Sequence, residues 1–198
     1  MNNKKKRFSL KEEYRKSWNY LKESRKFIYA VVWIFLIFVL IGFFVPFPQI
    51  IIEKISEYIK ELLNQTQGLN QFEMTKFIFF NNIKSSFFGM ILGVFLGIFP
   101  ILVTVVNGGL LGFVASESVS QEGIFVLWRI LPHGIFELPA VFISVGLGLK
   151  LGTFIFQKNK SESFRKYFWN SLRVFLFFVI PLLVIAAIIE GWLIFNFG

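Results

Sequence analysis

A chain of 198 residues that is 55% hydrophobic, with 28 Phe, lies outside the composition of a soluble domain and reads as an integral membrane protein. Cysteine and aspartate are both absent, and all 12 acidic residues are Glu, which excludes disulfide frameworks, thiolate chemistry, aspartyl-phosphate pumps and calcium loops. Of the formal charge of +9, residues 1–26 carry +7 (10 Lys/Arg against 3 Glu), leaving +2 for the rest.

This basic tail directly precedes an apolar run. Juxtamembrane Lys/Arg clusters fix topology and attract anionic lipid at the cytoplasmic surface, and the tail holds no nucleic-acid module, so nucleic acid is not an expected partner. Phe8, Tyr14, Trp18 and Leu21 recur among the charges at loosely helical spacing, which suits a helix on the inner membrane surface; the alternative is a solvated tail. Residues 27–47 are uncharged and long enough to cross a hydrocarbon core of ~30 Å. A cleaved signal peptide fits less well, because the basic region is long and contains Glu, and no small-x-small site follows. The division expected is a basic cytoplasmic tail (1–26) and one helical membrane domain (27–198).

Pro46 and Pro48 end the first span. In residues 50–63, Ile52, Ile55, Ile59 and Leu62 share one face and Glu53, Lys54, Glu57, Lys60 and Glu61 lie elsewhere, the pattern of an amphipathic helix at the outer interface. A polar turn over 65–70 leads back to the membrane. Gly89, Gly93 and Gly97 then recur at spacing four, followed by Pro100, Asn107, and the pair Gly108 and Gly112; a second stripe runs Ala140, Ser144, Gly148, Gly152. Such stripes let helices approach closely in lipid, where van der Waals packing replaces the hydrophobic drive.

Between the stripes, Pro132-His133-Gly134-Ile135-Phe136-Glu137-Leu138-Pro139-Ala140 places the one histidine and a carboxylate among apolar residues at presumed membrane depth. In a helix His133 and Glu137 share a face, and Pro132 and Pro139 free carbonyls that lipid cannot satisfy, so the segment must face protein or trapped water. Lys150 is placed to snorkel to the inner surface. Residues 157–173, with 5 Lys/Arg and 1 Glu, read as a basic cytoplasmic loop before a last span at about 174–196 that contains Pro181 and ends near Glu190. With the tail inside, that loop requires an odd number of crossings between 85 and 157. Three fit the length, giving an all-α polytopic protein with about five transmembrane helices, Pro/Gly-broken central segments, a cytoplasmic N-terminus and an external C-terminus. Four spans are the alternative.

Asn81-Asn82, the glycines 89/93/97, Asn107-Gly108, His133-Gly134 with Glu137-Leu138 and Ala140, Gly146-Leu147-Gly148-Leu149, and Glu190 together resemble the stage II sporulation protein M family over about residues 70–195. The resemblance implies a membrane protein of about five spans. The family's namesake is a scaffold that recruits cell-wall hydrolases to the septum during engulfment, and relatives occur in bacteria and archaea that form no spores. A Lys/Ile/Phe-rich, Asp-free chain suits a non-sporulating source, so the engulfment role is not carried over.

Three functions compete. A non-enzymatic scaffold would bind other membrane proteins, or copies of itself, through its glycine seams and outer amphipathic helix, with His133 and Glu137 structural and Glu190 joining them. A transporter or channel-like component would use helices broken at Pro100, Pro132 and Pro139 to present a midplane His/Glu site. An intramembrane metalloenzyme lacks ligands, with one His and no His-Glu-x-x-His, and no Ser or Thr has a base other than His133. The scaffold is preferred, without enzymatic activity, metal or cofactor.

Overall fold

The uncharged run 27–47 and the charged stretch before it form one helix. In the computed structural model, which describes residues 9–197 apart from the side chains of 128–133 and 197, α1 spans Leu10–Phe44. At 1.5 Å per residue its 35 residues run about 50 Å, well beyond a hydrocarbon core, so its charged half projects past the span. The basic segment from residue 10 onward is therefore a continuation of the first span and not a separate tail; Phe8 lies outside the described residues. Among the described residues five helices are long and apolar enough to cross a membrane, not four.

The remaining elements follow in order: α2 (Gln49–Thr66), α3 (Gln71–Ile91), α4 (Ile98–Glu122), α5 (Leu127–Gly152), α6 (Lys160–Val174) and α7 (Ile180–Phe197). Asn70 caps α3 in a reciprocal capping box with Glu73, which fixes the re-entry of the chain after α2. The expected basic loop at 157–173 is largely helical: α6 runs through the π turn Phe175–Val179 into α7 as one rod. That π turn precedes Pro181 and absorbs the lost N–H of the proline.

The central breaks fall where expected, just before Pro100 and within 117–131, and at each a glycine takes the turn. After the 3₁₀ turn Leu92–Val94, Leu96 and Gly97 both take positive φ (61° and 72°), and Gly123 (φ 81°) ends α4. Pro100 sits in the first turn of α4, where no intrahelical N–H bond is lost, and α5 continues unbroken through Pro132 and Pro139.

Contacts fix the direction of each span. Along α5, Phe142 packs on Phe35, Gly146 faces Ile28 and Lys150 reaches Ser24, so α5 runs opposite to α1. Ser86 meets Ser144, Gly93 meets Gly148 and Gly97 meets Gly152, so α3 and α5 run the same way. Phe87 lies on Phe175 and Thr75 on Gly191, which sets α7 against α3. Successive spans alternate, and the two chain ends lie at opposite ends of the bundle. We call the end holding the start of α1 and the α5–α6 connection the basic end.

α5 touches each of the other spans and supplies the centre of the core, with Ala140 and Leu147 fully buried beside Met90, Val174, Phe175, Val179 and Leu183. Around it Trp33, Leu40, Leu102, Val106, Ile185 and Ile188 face outward, as a lipid-exposed belt requires. Two buried hydroxyls are satisfied within their own helix, Ser24 Oγ donating to the Tyr20 carbonyl and Thr104 Oγ to that of Pro100. α2 stands apart, burying none of its residues.

Candidate functional site

Close packing is what brings polar groups together here. Where Gly93 and Gly148 face each other, a β-carbon on either would overlap the other helix's backbone, and the same holds for Gly152 against Gly97. The stripe Gly89, Gly93, Gly97 thus closes on Ala140, Ser144, Gly148, Gly152, and Ser144 Oγ donates to the Ser86 carbonyl at 2.6 Å across the seam. Gly108 and Gly112 close on a different helix, against Phe35, Val39 and Phe43 of α1. Gly42, Gly146 and Gly191 make equally close approaches to Gly109, Ile28 and Thr75, yet stand outside any stripe and had no spacing signal.

In the half of the bundle away from the basic end, these approaches draw three polar side chains from three helices into one cluster. The Asn82 amide of α3 stands beside the Glu137 carboxyl of α5, and Glu190 of α7 lies within electrostatic range of Glu137. Gly191 holds Glu190 there by letting α7 settle on Thr75. Glu137 stands ten residues into α5 and Asn82 eleven into α3, so the cluster lies within the depth of the bundle and not at a helix end.

The other candidates disperse. Asn107 faces outward from α4 and donates to the Val103 carbonyl of its own helix at 2.8 Å. Pro139 is exposed, and Gly134 would meet only its own helix's Leu138. The side chains of Pro132 and His133, and with them the expected His133–Glu137 contact, lie outside the described residues. Asn82, which stands beside Glu137, entered the sequence reading only within a family pattern; a pair of amides, Asn81-Asn82, inside an apolar span was the available signal.

An amide and two carboxyls screened from water can hold a proton or a cation between them, or can lock three helices in one register. Among the described residues no three His, Cys, Asp or Glu side chains come together as a metal site would need. If the lock is the Asn82–Glu137 bond, Asn82→Leu should cost about 1–3 kcal/mol by stranding a buried acceptor. Glu137→Gln, which keeps an oxygen facing Asn82, should stay within about 1 kcal/mol. Unfolding midpoints in detergent compare the two, and equal losses would show that the charge of Glu137, not its hydrogen bond, matters.

At the basic end, Lys150 does not snorkel to the surface. It is buried (7% exposed), with its ammonium 3.7 Å above the Tyr20 ring and 3.1 Å from Ser24 Oγ, both on α1, and 5.7 Å from the Tyr167 ring on α6. Burial of the aliphatic stem and capture of the head by aromatic faces replace the excursion to water. Beside it Arg173 pairs with Glu13 at 2.6 Å, tying the projecting half of α1 to α6.

Comparison with known proteins agrees with this architecture. An uncharacterized protein of Methanocaldococcus jannaschii is 28% identical over 179 residues, covering 87% of this chain and 79% of that protein. No solved structure matches. The family model for stage II sporulation protein M matches residues 31–193, from the middle of α1 to the end of α7 and including both seams and the Asn82–Glu137–Glu190 cluster. The chain belongs to the stage II sporulation protein M family of membrane proteins.

Proposed function

We propose that the protein is a non-enzymatic scaffold of the cell membrane that assembles other membrane or envelope proteins, with the basic end cytoplasmic and α2 external. One observation carries this reading: α2 is an 18-residue amphipathic helix that buries no residue on its own bundle, with Ile50, Tyr58 and Leu63 at 63%, 50% and 62% exposure. A chain that folds its spans tightly yet leaves such a helix free presents it to something else. The charge excess of α1 and α6 supports the orientation.

The glycine seams expected to hold partners are consumed within the chain, so partner binding moves to α2 and to outward faces of the spans. Transport keeps the Asn82–Glu137–Glu190 cluster and the break before Pro100 in its favour, and lacks the breaks it called for at Pro132 and Pro139, through which α5 is continuous.

The test is photocrosslinking in the membranes of cells that make the protein, from Tyr58, Ile59 and Leu63 on α2 and from lipid-facing Leu40 on α1 as the control. The expected result is a discrete protein adduct from the α2 positions that Leu40 does not give. Adducts with lipid alone from every position would overturn the scaffold reading.

A further inference from the structure

We propose that the outward face of α3, centred on Lys84, seats a membrane-spanning helix of a different protein that carries a carboxylate at the same depth. The inference rests on the scaffold reading and names the chemistry of one partner.

Register fixes the depth of Lys84. Ser86, two residues on, contacts Ser144 across the α3–α5 seam, and Phe142, two residues before Ser144 along α5, packs on Phe35. Phe35 stands near the middle of the uncharged run 27–47 of α1. Lys84 therefore lies inside the apolar depth of the bundle, where an outward-facing ammonium meets lipid tails rather than water. Its side chain is exposed and, among the described residues, makes no hydrogen bond or ion pair.

A charge facing hydrocarbon at that depth is costly, and intramembrane lysines almost always face protein or a water-filled cavity and are paired. The bundle does not supply the pair. Its two carboxyls at these levels, Glu137 and Glu190, belong to the cluster around Asn82, on the buried side of α3. The exposed side instead carries Lys76, Phe80, Asn81, Lys84 and Phe88 at helical spacing, and an open groove of about 460 Å³ runs along it from Gln65 at the end of α2 to Lys84. Aromatic rings flanking a polar line form a seat for a helix that is apolar with a polar stripe of its own.

Charge chooses among occupants. A second copy related by a two-fold axis along the membrane normal would set Lys84 against Lys84 and Lys76 against Lys76, a like-charge stack in low dielectric. Phospholipid headgroups lie at the interfaces, outside that apolar depth. A partner helix with Asp or Glu opposite Lys84 neutralises the charge where it sits.

The experiment uses the full chain in the membranes of cells that make it, with photocrosslinkers at Phe80 and Phe88 and the adduct identified by mass spectrometry. The expected adduct is a different membrane protein with Asp or Glu in a span. Lys84→Glu should reduce it at least tenfold at equal abundance, and a reciprocal Lys in place of the partner's carboxylate should restore it. Lys84→Leu, which suits lipid better than the native residue and so guards against poor accumulation of Lys84→Glu, should keep normal abundance and still lose the adduct. The proposal is overturned by an adduct with another copy of this chain, by lipid adducts alone, by a partner without a carboxylate in its span, or by an adduct that Lys84→Leu leaves unchanged. If α2 still captures protein when α3 captures none, this inference fails alone; if both capture lipid only, the scaffold reading fails with it.

Discussion

Gly148→Ala should destabilise the bundle by about 3 kcal/mol or more, while Gly109→Ala, the same change in a neighbouring helix, should be neutral or stabilise it by up to about 1 kcal/mol. Both glycines are buried and mid-helix. A β-carbon on Gly148 would stand 2.6 Å from the Gly89 carbonyl and 2.9 Å from that of Met90, backbone atoms that cannot rotate away. Relief requires α3 and α5 to separate, which pulls Ser144 from the Ser86 carbonyl and loosens a seam running from Gly89 to Gly152. On Gly109 the same methyl would meet only the tip of the Phe47 ring at 3.7 Å, ordinary contact, so the helix keeps the propensity gain of alanine. Unfolding midpoints of purified protein in one detergent check the pair. A Gly148→Ala variant as stable as the parent would mean that the seam is looser than this packing.

Much of this architecture was legible because period carries it. Spacing four in Gly89, Gly93 and Gly97 marks one helix face, and alternating charge in residues 50–63 marks another. Period says which face is close-packed and not which helix it meets, so the pairing of one stripe with α5 and of Gly108 and Gly112 with α1 had to come from the fold. Proline misled for a related reason. Its missing N–H costs a local bond, but whether the helix breaks depends on what packs around it, and in α5 the chain runs straight through Pro139. The polar residues divide similarly. Asn82 and Asn107 both interrupt apolar spans; Asn107 is answered by its own helix and Asn82 by Glu137 of another, a difference that only tertiary placement decides.

At the basic end the expected asymmetry is between a charge and its cage. Tyr20→Ala should cost about 3–5 kcal/mol: it opens a cavity in the core cluster shared with Leu147 and Val174 and leaves the Lys150 ammonium buried without the ring beneath it. Lys150→Met should stay within about 1 kcal/mol. The thioether keeps most of the stem's volume against Tyr20, and the lost contacts to Ser24 Oγ and, at 3.8 Å, to the largely exposed Glu23 are offset by no longer burying a charge. Combining Tyr20→Leu with Lys150→Met should then be less damaging than the sum of the two, because the second change removes the uncompensated charge that the first creates. Unfolding midpoints measure the cycle, and limited proteolysis at the Lys and Arg residues of 11–26 reports whether the projecting half of α1 stays docked through Glu13 and Arg173. If Lys150→Met alone frees that segment, the ammonium itself holds α1 to α5 and α6, and the aromatic residues only make room for it.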